Sequence, residues 1–278
     1  MVMFIGVDIG GSKIRVASSL TGHKIDHSVR FATPVNQRRA LPLIVKAVEN
    51  LIGKSEVDAI GVACPGPLDK QRGKILSPIN LTWHNLEINK PLAGRFKCPV
   101  VLEHDATCGG IAEARRGAGK KYTTVLYVTI STGIGTSLLV DGQPLKSPHN
   151  AEGGKLIINP SYIHTDGLVG TFENIVSGQA IKRRFGKIAA DINNPEDWSI
   201  ISHDLAIGLF NLITVTSPDV VILAGGVAVH YKKFIKPLER EMARYRPIYL
   251  YDLPKIIQST FVETAPVLGA ILLASQNS

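Results

Sequence analysis

A strand–turn–strand pattern with glycine in the turn occurs twice in this sequence, far apart along the chain. The first copy is residues 6–13 followed by the apolar stretch 14–17, and the second is residues 128–136 followed by 137–140. The second copy ends at Asp141-Gly142, which suits a two-residue hairpin loop because both central positions need positive φ. The repeat predicts two related α/β lobes with a cleft between them, not a short-period array.

The two turns carry groups that suit an anion. A glycine turn lets several backbone N–H groups approach one anion with no Cβ in the way. The members that would contact phosphate are Gly10, Gly11, Ser12, Lys13, Ser131, Thr132 and Gly133. Their hydroxyls and ammonium would complete the binding of one polyphosphate by both turns. From the residues alone, two ordinary tight hairpins remain an equal alternative.

Asp8 favours the phosphate interpretation. A carboxylate at the end of a buried apolar strand is costly unless it has a partner. A hydrated Mg²⁺ that bridges to phosphates would be such a partner, so Asp8 is the candidate metal-binding residue.

Composition is that of an ordinary globular protein. The chain has 278 residues, 45% of them apolar and 19% charged, enough for one large or two medium domains. We find no run that predicts a membrane span and no leader pattern at the start. Cys64, Cys98 and Cys108 show no paired or metal-ligand spacing, so we expect reduced thiols in a cytoplasmic protein.

The net charge of +8 first suggests that the protein binds nucleic acid. However, the basic residues are spread along the chain, aromatic residues are few, and no helix-turn-helix or zinc-finger pattern precedes the first strand. We therefore expect no nucleic-acid partner. Charge of this sign assists an anionic small ligand or keeps the protein in solution.

Apolar periodicity predicts the order of elements. Expected strands are residues 4–9, 13–19, 24–32, 57–63, 100–103, a hairpin over 124–140, 155–158 and 220–223. Expected helices are residues 41–52, 105–116, 171–190, 197–216, one after Gly226 and one over 265–275. We place an N-terminal lobe at residues 1–113, with helix 266–278 packing back on it, and a C-terminal lobe at 114–265.

Eight short motifs then occur in a familiar order. They are Asp8-Ile9-Gly10-Gly11-Ser12-Lys13, Cys64-Pro65-Gly66-Pro67-Leu68-Asp69, Pro78-Ile79-Asn80-Leu81, His104-Asp105-Ala106, Ser131-Thr132-Gly133-Ile134-Gly135, Glu152-Gly153-Gly154, Glu173 with Ser177-Gly178, and Leu223-Ala224-Gly225-Gly226. This order resembles the ROK family of bacterial and archaeal sugar kinases. The resemblance covers nearly the whole chain and implies two RNase H-like lobes of the actin/hexokinase-type ATPase fold.

The resemblance also implies ATP-dependent phosphorylation of a hexose hydroxyl and gives residues their roles. Asp105 would be the catalytic base, although the residue alone is equally consistent with a helix N-cap. ATP and Mg²⁺ would be held by Asp8 and the two turns, with Gly225 and Gly226 beside the adenosine. The sugar site would comprise Gly66, Asn80, His104, Glu152, Lys155 and Glu173.

Three departures from the family pattern concern the sugar. His104 replaces the usual Asn before the catalytic Asp. Lys155 replaces a histidine that bridges a sugar hydroxyl and a zinc site, and a charged lysine cannot ligate metal. The expected cysteine-rich zinc loop, here 161–171, contains no cysteine but only His164 and Asp166 as ligand types, so we expect no structural zinc. Lys155 would favour a hydroxyl-rich or acidic sugar, or else point to solvent or pair with Glu152.

Three functions stay open at this point. The first is an ATP:sugar phosphotransferase, which the intact Asp8, Asp105 and glycine turns favour. The second is a sugar-sensing protein that has lost catalysis, with His104 and Lys155 as signs of drift. The third, a nucleic-acid-associated regulator, has only the charge in its favour. The resemblance further implies a homodimer.

Overall fold

The structure of this chain is a computed structural model that describes residues 2–78, 80–145, 150–163 and 167–277, with Ile163 described by its backbone only. Contacts divide the chain into two compact units. Unit 1 contains the described residues up to Ala112 together with those from Thr264 onwards, and unit 2 is Glu113–Glu263. Each unit has its own buried apolar core.

The strands and helices follow in chain order. Up to residue 116 they are β1 (Val2–Ile9), β2 (Lys13–Ser19), β3 (His27–Ala32), α1 (Ala40–Ile52), β4 (Glu56–Cys64), β5 (Leu68–Asp69), β6 (Lys74–Ile75), β7 (Leu86–Glu87), α2 (Asn89–Phe96), β8 (Val100–His104) and α3 (Asp105–Arg116). After it they are β9 (Thr124–Ile130), β10 (Ile134–Val140), β11 (Gln143–Pro144), β12 (Ile157–Ile163), β13 (Val169–Thr171), α4 (Phe172–Val176), α5 (Gly178–Phe185), α6 (Pro195–Thr216), β14 (Val220–Ala224), α7 (Tyr231–Tyr245), β15 (Lys255–Gln258) and α8 (Ala265–Ala274).

The main sheets of the two units have the same topology. Unit 1 has the strand order β3-β2-β1-β4-β8 and unit 2 has β11-β10-β9-β14-β15. In each sheet the three strands that come first in sequence (β1–β3 or β9–β11) form an antiparallel meander, and the remaining two run parallel to the first of them. The repeated α/β plan predicted from the two glycine hairpins is therefore confirmed.

In unit 1, helix α8 packs directly against the sheet through glycine. A Cβ at Gly61 of β4 would collide with the backbone of Ala270, and one at Gly6 of β1 would lie 2.5 Å from the carbonyl oxygen of Val267. Gly269 of α8 lies equally close to the backbone of Cys108 in α3. Three glycines thus bring the last helix into backbone contact with its neighbours, so that its apolar side chains are buried.

In unit 2, the carboxylate of Glu113 is fully buried and accepts hydrogen bonds from four donors. Oε1 accepts from the hydroxyl of Ser259 at 2.6 Å and the N–H of Phe261 at 2.7 Å. Oε2 accepts from the N–H groups of Ala118 at 2.9 Å and Thr260 at 3.1 Å. The bonds fix the loop after α3 to the segment after β15 and compensate the cost of burying this charge.

Several expected elements differ from the observed ones. The helix predicted over residues 171–190 is two helices, because Ser177 adopts an extended backbone (ψ 164°) and its hydroxyl caps α5. The predicted strand 24–32 begins only at His27, and 155–158 is a 3₁₀ turn followed by β12. Helix α2 and the small sheet β5-β6-β7 were not predicted, since their short segments give little periodicity.

Helix α6 corrects the expectation that no run can span a bilayer. With 22 residues, it is long and apolar enough by length and composition alone. However, nine of its residues are buried within unit 2, and it carries Glu196, Asp197 and Asp204. These features are also those of a core helix.

Candidate functional site

In unit 1, the candidate residues lie where parallel strands end. β1, β4 and β8 run parallel, and Asp8 pairs in register with Ala63 while Cys64 pairs with His104. Asp105 follows His104 directly as the first residue of α3. The carboxyl ends of adjacent parallel strands meet at one sheet edge, where ligands bind in open α/β sheets. The sheet thus brings Asp8, His104 and Asp105 together.

Asp105 and His104 contact each other. Oδ1 of Asp105 lies 3.1 Å from Nδ1 of His104 and accepts from the N–H of Ala106 at 2.7 Å. The histidine is buried, whereas the Asp105 side chain remains 30% exposed. Nδ1 of His104 also accepts from the N–H of Ala106, at 3.3 Å, so the imidazole and the carboxylate share one backbone donor. The arrangement orients a carboxylate that still reaches solvent.

Asp8 carries the clearest electrostatic signature. Burial, and then the neighbouring charge of Asp105, raise the pKa of Asp8 from 3.8 to about 7, although Arg15 opposes the shift. Arg15 lies directly across the β1–β2 hairpin from Asp8. A buried carboxylate beside a second negative charge forms a site that a divalent cation would stabilise. Mg²⁺ binds through one or two carboxylates plus phosphate oxygens and water, so this pair fits it.

The cysteines near this cluster are free, buried thiols. Burial, with the charges of Asp105 and Asp8, raises the pKa of Cys64 well above its usual value. Cys64 thus stays a neutral thiol beside the carboxylates.

The first glycine turn is fixed by Thr33 and by the Asn80 loop. The hydroxyl of Thr33 donates to the Gly10 carbonyl at 2.6 Å, and its N–H donates to the Ser12 carbonyl at 3.1 Å. Neither turn glycine has positive φ; instead, a Cβ at Gly11 would lie 2.8 Å from the carbonyl oxygen of Asn80. Gly11 is therefore required by a close approach to Asn80.

The remaining unit 1 candidates lie next to these groups. Ser12, Lys13 and Asn80 are exposed. A Cβ at Gly66 would lie 3.2 Å from Cδ2 of the His104 ring, so the strand-end loop after β4 passes close to the histidine. Unit 1 thus gathers one phosphate-type turn, two carboxylates and polar candidates for a sugar.

In unit 2, the second turn is fixed from both sides. The N–H of Ser131 donates to the Gly133 carbonyl at 2.8 Å, and the Ser131 carbonyl accepts from Gly178 at 2.7 Å. The N–H of Ile134 donates to Oε2 of Glu173 at 2.8 Å. The side chain of Thr132 is exposed. Sequence reasoning missed the supporting role of Ile134, since its backbone N–H leaves no sequence signal.

Glu173 also meets Lys155. Nζ of Lys155 lies 2.5 Å from Oε1 of Glu173, while Glu152 is exposed. The expected pair with Glu152 is therefore wrong, because the partner of Lys155 is Glu173; the lysine itself is exposed. The pair joins the 3₁₀ turn at Gly153–Lys155 to helix α4.

The third glycine element of unit 2 follows strand β14. Gly225 has φ of 87°, and a Cβ there would lie 2.5 Å from the carbonyl oxygen of Ile130. Gly226 is exposed, and a Cβ there would meet nothing within 4 Å. The helix expected after Gly226 is α7, which begins only at Tyr231, after a 3₁₀ turn. Gly226 leaves its backbone open to a ligand.

Metal-binding candidates other than Asp8 are limited by what the structure describes. His164 and Asp166 of the loop discussed for zinc lie outside the described residues. In the part that is described, no group of three or more His, Cys, Asp or Glu is arranged to hold a metal ion.

Known proteins are similar to this chain over nearly its whole length. The model of the ROK family matches residues 4–277. The chain is similar to the crystal structure of a ROK hexokinase from Thermus thermophilus (28% identity, 99% of this chain and 98% of that one, TM-score 0.83). A ROK family glucokinase from Streptomyces griseus, in complex with glucose and AMPPNP, has the same fold (23% identity, 99% of both chains, TM-score 0.85). A xylose repressor from Caldicellulosiruptor bescii is 23% identical over 97% of this chain and 77% of its own length.

Proposed function

Because this chain belongs to the ROK family, we propose that it is an ATP-dependent sugar kinase that phosphorylates a hydroxyl of a hexose or hexose-like sugar. The observation that carries the proposal is the pair of carboxylates in unit 1: Asp8 near the end of β1 and Asp105 directly after β8, on the two strands that flank β4. Phosphoryl transfer needs positioned charges and one carboxylate to accept the hydroxyl proton. The pair supplies one group for each task.

We assign to Asp105 the role of general base, which accepts the proton of the sugar hydroxyl. Its carboxylate is oriented by the N–H of Ala106, lies 3.1 Å from Nδ1 of His104 and reaches solvent. It would accept the proton from the sugar hydroxyl as that oxygen attacks the γ-phosphorus. His104 would contact the sugar, with Gly66 leaving room for its ring.

Asp8 is the residue we assign to Mg²⁺. Its raised pKa means that a bound cation would convert a costly charge into a favourable contact. Mg²⁺ bound there would neutralise charge on the phosphate oxygens. The exposed Ser12 and Lys13 of the first turn would bind phosphate, and Asn80 beside Gly11 would bind the sugar.

Unit 2 would contribute the second turn and further sugar contacts. Ser131, Thr132 and Gly133 would bind phosphate, and the open backbone at Gly226, beside Gly225, would accept the adenosine. Glu152 and Glu173 would bind sugar hydroxyls, with Lys155 paired to Glu173. We also propose a homodimer, as the family resemblance implies. From the unpaired cysteines we propose a cytoplasmic location, and from the dispersed basic residues the absence of a nucleic-acid partner.

The test is sugar-dependent release of ADP from Mg-ATP over a panel of glucose, fructose, mannose and acylated amino sugars. Asp105→Asn should keep the thermal shifts given by AMPPNP and by the sugar but lose about 10²–10⁴-fold in kcat, the weight of a general base. Asp191→Asn, an exposed aspartate of unit 2, is the matched control and should keep full activity. Near-normal kcat in Asp105→Asn would remove Asp105 from this role.

One observation favours a second function, a sugar sensor without catalysis. Oδ1 of Asp105 already accepts from Ala106 and contacts His104 at 3.1 Å, which engages an oxygen that a base would need. A sugar-induced thermal shift with no ADP release from any sugar would select the sensor. Sugar-dependent ADP release would exclude it.

A further inference from the structure

Glu173 is held at both of its oxygens. Oε1 receives Nζ of Lys155 at 2.5 Å, and Oε2 receives the N–H of Ile134 at 2.8 Å. Ile134 is the first residue of β10, directly after the glycine turn. One carboxylate therefore connects the turn to the lysine.

The segment that carries Lys155 packs on the same strand. A Cβ at Gly154 would collide with the carbonyl oxygen of Ile134, so this glycine lies against the strand backbone. The hydroxyl of Thr136 accepts from the N–H of Gly153 at 3.0 Å and donates to the Ala151 carbonyl at 2.9 Å. Glu173 and Lys155 are therefore linked to β10 at two places: through the N–H of Ile134 and through the packing of Gly153 and Gly154.

The pair also sets the local charge. The Lys155 side chain is 44% exposed and that of Glu173 is 20% exposed, so the pair stands at the surface of unit 2 with the lysine outermost. Glu173 presents its charge already balanced by the ammonium. A ligand at this place meets a neutral donor–acceptor pair, which suits hydroxyl groups and offers little net attraction to a charged substituent.

We propose that Lys155 is a positioning and specificity residue that acts through Glu173: it orients the carboxylate and, by neutralising it, makes the site prefer uncharged sugars over amino sugars. The inference rests on the proposed function, in which Glu173 contacts the sugar. Of the two ligands expected from Lys155, a hydroxyl-rich or an acidic sugar, the inference keeps only the first, because the charge of Lys155 is matched by Glu173.

Removing the ammonium should change affinity and preference together. Lys155→Met leaves Glu173 with an unbalanced charge, so KM for the best neutral sugar should rise about tenfold, the scale of one charge-assisted hydrogen bond. The kcat should change by less than about threefold, because the contact between Glu173 and the sugar is made equally in the bound substrate and in the transition state. The ratio of kcat/KM for glucosamine over glucose should rise about tenfold, because the protonated amine now meets a bare carboxylate. Lys155→Arg, which keeps the charge, should stay near wild type.

The experiment measures kcat and KM for glucose, glucosamine and glucuronate at a pH where the amine is protonated. Lys187→Met, an exposed lysine of unit 2, is the matched control. A change in kcat or melting temperature of Lys155→Met without a change in sugar preference would indicate a merely structural role and overturn the inference. If Lys155→Met does not fold, loss of the neutral-sugar preference in Lys155→Arg overturns it. A wild type that neither binds nor phosphorylates any sugar overturns the proposed function, and this inference with it.

Discussion

Replacing Asp8 by asparagine should make the protein more stable at neutral and alkaline pH. Burial and Asp105 raise the pKa of Asp8 to about 7 in the folded protein, against about 3.9 in an unfolded chain. Between these values the folded state holds a proton that the unfolded state has released. Stability is therefore lost as pH rises through this window, and Asp8→Asn, which cannot ionise, escapes the loss.

The size of the effect follows from the shift. Each pH unit of the window is worth about 1.4 kcal/mol, so the full window gives roughly 4 kcal/mol as an upper limit. Asp8 is partly exposed, and solvent screening reduces this to roughly 2 kcal/mol. The difference in unfolding free energy between Asp8→Asn and wild type should be small near pH 4 and grow by this amount by pH 8.

Urea unfolding in EDTA, without nucleotide, measures this difference across the pH range. Asp58→Asn, on the neighbouring strand β4, reports how much change any carboxylate loss causes. Adding Mg²⁺ with AMPPNP should raise the unfolding free energy of the wild type more than that of Asp8→Asn. A ligand stabilises the folded state only where its binding site is intact. A difference that is flat with pH, or that grows as pH falls, would refute the reasoning.

Two further substitutions test packing within single units. Glu113→Gln replaces one buried oxygen with an NH₂ group that faces N–H or O–H donors, so thermal or urea unfolding should show that the unfolding free energy falls by about 3 kcal/mol. The exposed Glu239→Gln is the control and should change stability little. Equal losses in the two variants would contradict the role of the four donors. Gly61→Ala forces a methyl group against the backbone of Ala270 and should lower the unfolding free energy by about 3 kcal/mol. Gly94→Ala, in open space within α2, is the control and should raise it by up to about 1 kcal/mol. An unchanged stability in Gly61→Ala would show that α8 does not lie so close to β4.

Much of the fold was readable from local patterns. The two glycine hairpins predicted two units of the same topology, and positive φ at Asp141 and Gly142 confirms the turn expected there (50° and 69°). A strand's alternation and a turn's backbone requirement are properties of a few neighbouring residues, so they are written in the sequence. The same holds for Asp8 at a strand end and Asp105 at a strand–helix junction, although their roles came from resemblance and stay predictions.

Other features were decided only by the tertiary structure. The partner of Lys155, the close approach of Gly11 to Asn80 and three of the four donors around Glu113 join residues far apart in the chain. Nothing in the local sequence encodes which distant group arrives, because that depends on the sheet register and on how loops close over it. The amino-acid sequence determined where strands end and which turns need glycine; only the folded chain decided which charge balances which, since that choice depends on distances between side chains rather than on their order.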